Sequence, residues 1–348
     1  MKIHLMGRHA HRIPFAYEVY RSILKKSFEY VTDPFEADII LFGYIINIDE
    51  NVDVLKKVLA KRKHVRLVVF SEEPLWDTTN SGNFKVKIVE RLVENFAFKC
   101  TVINHVTSDI YSFNKFPYFI TTSDDYYLRY LQAFKRNADL KVENVLNIWK
   151  DAGYKYAFFA ENRQLVKKYS ISHPDINVYG LSVYRTNIAK NIKDKKTAEC
   201  LCVGKGWQKE DSARQQLVDW HLDKLALLTY NSFIVSAIEN TVQKNYISEK
   251  IFDSYATLGV PIYWADQQHS LFKIINKDSA LINVSGLNEQ QAIDKILSVQ
   301  PTRELGEIYL ETQQLLAKHF ERYDEFIYSR MEFSDKFNDA ILSISAQD

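Results

Sequence analysis

The chain has 348 residues, 46% hydrophobic and 26% charged, the composition of a soluble globular protein long enough for two domains of ordinary size. Its 45 lysines and arginines nearly balance 44 aspartates and glutamates, and the formal charge of +1 argues against nucleic acid as the principal partner. With 10 glycines and 14% aromatic residues, the sequence disfavours a glycine-rich nucleotide fingerprint and favours pockets lined by rings.

Residues 2–6 read as a short strand, 7–14 as a loop and 15–26 as a helix, the β-loop-α opening of a Rossmann-like domain. Short apolar strands are predicted at 38–43, 66–70 and 101–104, with helices at 52–61 and 86–95 between them. Continuous apolar strands separated by helices imply a parallel sheet covered on both faces. Helical patterns at 126–134 and 142–152 are expected to close this first domain, 1–165. From 166 to 196 the periodicity weakens and polar residues accumulate, which reads as a connection. A second β-loop-α start follows, with a strand at 199–203, a loop at 204–207 and a helix at 211–225. A strand at 233–238 then delivers Glu239 and Asn240 at its carboxyl end, where ligands collect in open α/β sheets. This second domain, 197–348, ends in an amphipathic helix predicted at 312–328.

Three cysteines, with Cys200 and Cys202 in an apolar run, suggest buried reduced thiols and a reducing, cytoplasmic compartment. No run approaches the roughly 18 apolar residues of a membrane helix. The basic stretch 56–63 would touch an anionic bilayer if the acceptor were lipid-linked; otherwise it is a solvated helix face.

The densest chemistry lies between 239 and 264. Ser248 is a good N-cap, Glu249 and Lys250 occupy the first helical turn, and Gly259 closes the helix before the strand at 260–264. First-turn N–H groups and a lysine attract phosphate oxygens, and a carboxylate accepts hydrogen bonds from sugar hydroxyls, chemistry suited to a sugar nucleotide. Lys205, in the loop after the strand at 199–203, and Arg214, on the following helix, are further cations for a diphosphate. His9, His11 and Arg12 crowd the first β-loop-α turn and are candidates for acceptor or phosphate binding. A His-x-His pair without a third ligand is weak evidence for metal, Asp124-Asp125 reads as a helix start, and no metal is predicted.

The run Glu239, Asn240, Tyr246-Ile247-Ser248-Glu249-Lys250 and Pro261-Ile262-Tyr263-Trp264 resembles the donor-binding motif of the family 10 glycosyltransferases, the α1,3/α1,4-fucosyltransferases. The similarity is strong over about 25 residues and loose elsewhere. It departs from the family at Ile238, where Phe is usual, and at Ala265-Asp266, where Gly is usual. The resemblance implies two Rossmann-like domains facing across a cleft, the GT-B arrangement. It also implies GDP-fucose as co-substrate, gripped by Tyr246, Glu249 and Lys250, and a glycan or lipid-linked glycan acceptor such as lipopolysaccharide or capsule. The two departures keep open a bacterial surface-polysaccharide transferase using another donor such as CMP-Kdo. A non-catalytic nucleotide- or glycan-binding module is the reading from a different class.

Inverting transfer needs a base for the acceptor hydroxyl. Ser71-Glu72-Glu73-Pro74, directly after the strand at 66–70, is similar to the family segment that carries the proposed base. The proline selects Glu72, spacing from the strand leaves Glu73 open, and adjacent carboxylates raise each other's pKa.

Overall fold

The computed structural model describes residues 1–73, 85–93, 95–196, 199–207 and 219–345. The chain forms two compact units, Met1–Ser123 together with Asp324–Asp348, and Asp124–Tyr323. The architecture is α/β, with one predominantly parallel sheet in each unit.

In the first unit, strands β1 (Lys2–Met6), β2 (Glu29–Tyr30), β3 (Ile39–Phe42), β4 (Arg66–Phe70), β5 (Ile88–Val93) and β6 (Phe96–Ile103) lie in the order β2-β1-β3-β4-β6-β5. Every pair is parallel except β5 with β6. Strands β3 and β4 are near-continuous apolar runs because both faces of the sheet are covered. Helix Val52–Lys61 places Leu55 and Val58 against Ile40, Phe42, Leu67 and Val69 on one face. On the other, helix Tyr323–Ser345 places Phe333, Phe337 and Ile341 against Ile3, Leu41, Val68 and Phe70. Each such side chain, fully buried, contributes roughly 1.5–3 kcal/mol.

The helix expected at 86–95 is instead the edge strand β5. Its Val89 is buried while Ile88 and Leu92 are exposed, and Asn95 takes φ +63° in the connection to β6. Pairing with β6 settles the conformation of a segment whose own periodicity was weak. The single helix expected at 312–328 is two, Arg303–Phe320 and Tyr323–Ser345, and the second supplies the first unit's core. All three cysteines are buried thiols, with the Cys200 and Cys202 sulfurs 3.8 Å apart.

In the second unit, β7 (Tyr154–Phe159), β10 (Cys200–Val203), β11 (Ser232–Ser236), β13 (Val260–Tyr263) and β14 (Ile282–Asn283) form an all-parallel sheet in the order β10-β7-β11-β13-β14. Strand β7 was not anticipated, yet it lies between the two strands read as the second domain's start. The helices expected to close the first domain, observed as Asp124–Ala138 and Val142–Asp151, belong to this unit. There they satisfy carbonyls at the end of helix Glu249–Ala256 and just beyond it: Asn137 Nδ2 donates to Tyr255 O at 3.1 Å and Trp149 Nε1 to Leu258 O at 2.8 Å.

The stretch read as a connection contains β8 (Ser172–His173), β9 (Val178–Gly180) and the helix Ser182–Lys195, whose Ile188, Ala189 and Ile192 are buried. Strands β8 and β9 form a small antiparallel sheet with β12 (Thr241–Val242), in the order β12-β9-β8. The units divide the chain after Ser123 and after Tyr323, where the sequence had placed divisions near 165 and 197.

Candidate functional site

In the second unit the parallel register brings the residues following β7, β10, β11 and β13 to one edge of the sheet. Strand β11 leads through Ala237 and Ile238 to Glu239, which is 4% exposed. Its Oε1 accepts from the Ser248 backbone N–H at 2.8 Å and from Ser248 Oγ at 2.7 Å, while Oε2 accepts from Lys250 Nζ at 2.9 Å. Ser248 is the expected N-cap, and its hydroxyl also accepts from Lys250 Nζ at 2.8 Å. The Glu249 carboxylate lies 3.6 Å from the same ammonium. Burial opposes the charge on Lys250, but Glu239 and Glu249 outweigh it and hold the ammonium above its ordinary range. Burial raises Glu239, with Lys250 opposing and Glu249 adding to the rise.

The helix Ser182–Lys195, which sequence reasoning had passed over, holds this strand end from the side. Arg185 is 5% exposed and donates from Nη1 to Ile238 O at 3.1 Å, and Leu181 N donates to Asn240 O at 2.8 Å. Its charge bears on Lys250, acting to lower that group's proton affinity. A weakly amphipathic helix in polar sequence gave no signal for Arg185. Tyr246 is buried in the turn that Tyr246 N closes on Gln243 O. Lys205 follows β10 and is exposed, two strands from β11 and so roughly 10 Å away across the sheet. Arg214 lies outside the described residues. Arg163, just beyond β7, was also missed; it pairs with Glu161 at 2.9 Å on this edge. Beside the site, Tyr179, Leu181, Tyr184, Trp264 and Leu287 line a pocket of about 460 Å³, with the Tyr184 ring edge-on to Trp264 at 5.2 Å.

Beneath this cluster the same helix, Glu249–Ala256, carries a fully buried carboxylate, Asp253. It accepts from Lys224 Nζ at 2.8 Å, His221 Nε2 at 2.5 Å and Tyr130 OH at 2.7 Å. Arg129 Nη1 can only donate, so its 3.1 Å contact makes His221 Nδ1 the acceptor and leaves the ring proton on Nε2, facing Asp253. Burial opposes ionisation of Asp253, but Lys224 and His221 outweigh it and hold the carboxyl below its usual range. The network fixes the helix that presents Glu249 and Lys250.

In the first unit, Gly7 takes φ +94°, and a Cβ there would stand 2.4 Å from the Asn47 side chain, so only glycine fits this turn. The loop it starts carries Arg12, whose guanidinium bridges both candidate bases: Nε donates to Glu72 Oε1 at 2.6 Å and Nη2 to Glu73 Oε1 at 2.7 Å. Its Nη1 donates to the Tyr44 hydroxyl. Tyr17 OH reaches Glu72 Oε2 at 3.3 Å. Three successive carbonyls of the turn are pinned by side chains: Tyr111 OH donates to Ser71 O, His105 Nε2 to Glu72 O and Ser71 Oγ to Glu73 O, at 2.8, 2.9 and 3.0 Å. Glu72 and Glu73 are 6% and 8% exposed. Burial raises the Glu72 carboxyl above its ordinary range, Arg12 opposes, and Glu73 adds to the rise.

The two histidines of the turn separate. His9 bonds Asn47 Oδ1 at 3.2 Å and meets the Tyr44 ring edge-on at 4.6 Å. His11 is exposed, with Nδ1 directed to Arg8 O at 3.1 Å. Among the described residues there is no group of three or more His, Cys, Asp or Glu suited to a metal ion, and no helix is long and apolar enough to cross a membrane.

No protein-family model matches the chain, and no curated protein matches it. Among solved structures it is similar to an α1,3-fucosyltransferase with GDP-fucose, at a TM-score of 0.45 and 17% identity over 90% of this chain and 81% of that one. It is also similar to an α1,3-fucosyltransferase with GDP, at a TM-score of 0.44 and 18% identity over the same shares.

Proposed function

We propose that the chain is an inverting glycosyltransferase that moves L-fucose from GDP-fucose to a hydroxyl of a glycan acceptor. The observation that carries this reading is the Glu239–Ser248–Lys250 cluster. It joins a strand's carboxyl end to a helix N-terminus, and it is built from the residues that resemble the fucosyltransferase donor motif. Lys250 and the first-turn N–H groups meet the diphosphate oxygens, and Glu249 accepts from sugar hydroxyls. Glu72, raised by burial and oriented by Arg12 and Tyr17, takes the proton of the acceptor hydroxyl as that oxygen bonds to the anomeric carbon. The bond from that carbon to GDP breaks, and GDP departs with the electron pair, its charge met by Lys250. Glu73 shares the Arg12 clamp and tunes Glu72. The compartment consistent with three thiols is the cytoplasm, and a lipid-linked acceptor would bring the chain to the membrane's inner face.

A second donor is favoured by one observation. Asp266, where the family motif has glycine nearby, accepts from Asn177 Nδ2 at 2.5 Å and so is built into the fold beside Trp264. A different sugar, as in CMP-Kdo, would meet that altered end of the motif. A thermal-shift panel of GDP, GDP-fucose, GDP-mannose, CMP, CMP-Kdo, UDP and UDP-sugars separates the readings, since ligand at about 100 times its Kd stabilises by roughly 2.7 kcal/mol. A response confined to GDP and GDP-fucose supports the fucosyl reading, and a CMP-specific response replaces it with the Kdo type. Silence throughout the panel refutes nucleotide-sugar transfer.

A further inference from the structure

The site leaves unused the most strongly charged stretch of the chain, with six lysines and arginines against one aspartate between residues 52 and 66. Lys56, Lys63 and Arg66 line a groove of about 490 Å³ in the first unit with Lys99 of β6, above the apolar Leu59 and Phe96. Ile88 of β5 lines it as well. Ile88 and Leu92, on one face of this edge strand, are 54% and 70% exposed. Asp53 and Glu90 pair with Lys56 and Lys99, at 3.6 and 2.8 Å, but Lys57, Lys61 and Lys63 are exposed and add charge that these two acids do not balance. The groove sits at the amino end of β4, whereas Glu72 follows its carboxyl end.

We propose that this face of the first unit is a membrane-contact surface, seated on anionic lipid headgroups through its lysines with Ile88 and Leu92 entering the acyl boundary. Ile88 shares the groove with Lys56, Lys63, Arg66 and Lys99, and Leu92 follows it along the same side of the edge strand, so exposed aliphatic and basic side chains stand together as the two layers of a bilayer surface require. The apolar side chains that stand out from this face, Ile88 and Leu92, are aliphatic. The groove's rings, Phe96 and Phe98, are half-buried and buried against each other, so they offer bases no exposed stacking platform, which separates this surface from a nucleic-acid groove. The inference is independent of the transfer reading, because the surface and Glu72 lie at opposite ends of β4.

The test is flotation of the full chain with phosphatidylcholine vesicles, with and without about 30% phosphatidylglycerol, at low and high salt. The expected result is binding to the anionic vesicles alone, lost at high salt. Lys63→Glu with Lys99→Gln should weaken it at least about tenfold. Ile88→Ser with Leu92→Ser should weaken binding while its salt dependence remains. All four positions are exposed, and an unchanged melting curve checks that each variant is folded. Absence of vesicle binding, binding that neither variant alters, or preference for RNA over anionic vesicles overturns the proposal.

Discussion

The Lys250 ammonium lies 2.9 Å from Glu239 Oε2, joining a strand end to the first turn of a helix eleven residues later. Lys250→Ala should therefore act twice. It weakens GDP binding by roughly 1.5–3 kcal/mol through the lost phosphate contact, and it destabilises the fold by leaving Glu239 buried beside Glu249. Calorimetric titration and urea unfolding measure the two effects, and an unchanged GDP affinity removes Lys250 from the donor site.

Glu72 should set the acidic limb of the transfer rate. Because burial raises it, the limb lies above the ordinary glutamate value of about 4.3. Glu73→Gln removes a like charge and moves the limb to lower pH; Arg12→Met removes the opposing cation and moves it to higher pH. Glu72→Gln abolishes the limb and nearly all transfer. A rate that survives this change with the same profile would assign the base elsewhere.

Arg185 should matter although nothing in the donor motif includes it. Arg185→Met frees the Ile238 carbonyl, at a cost of about 1–3 kcal/mol, and removes a charge that acts on Lys250. Arg185→Lys restores the charge but not the guanidinium geometry. The expected order of GDP affinity is wild type, then Arg185→Lys, then Arg185→Met, and equal affinities would confine Arg185 to the fold.

Asp253 should contribute stability that depends on acid. Its folded-state pKa is depressed, so the contribution is present above the ordinary aspartate value of about 3.9 and is lost as pH falls toward the folded-state value. Asp253→Asn should flatten this dependence. Asp253→Ala, which strands the buried Lys224, should cost about 3–5 kcal/mol, and adding Lys224→Met should recover part of the loss. Additive losses in chemical denaturation would show that the two side chains do not act as a pair.

The parts of this fold legible in sequence are those where local chemistry and packing agree. Ser248 and Glu249 mark the start of their helix, while at its end Leu258, not the expected Gly259, takes the left-handed conformation at φ +67°. The apolar runs of β3 and β4 declare a doubly covered sheet. Strand β7 was hidden because Tyr154, Lys155 and Tyr156 carry no continuous apolar run, although Gly153 and the aromatic bias marked a start. Strand β5 was hidden because an edge strand needs only half its residues apolar, and its partner β6 decides its conformation. At the site, Glu72 and Glu73 could be named from the strand before them, but the side chain that bridges both, Arg12, lies sixty residues upstream. Arg185 and the Asp253 network were beyond reach for the same reason, since only tertiary contact joins their members.

Helix Tyr323–Ser345 completes the core that β1 begins, so the first unit is discontinuous and the second is inserted within it. On the ribosome this reverses the order of maturation. The inserted unit has all its residues available while one apolar face of the opening sheet is covered only in part, by Phe15, Tyr20, Leu24 and Tyr111. Phe333, Phe337 and Ile341 complete that face only after the inserted unit has been synthesised, so the segment that precedes the insert becomes a folded domain later than the insert's own residues become available.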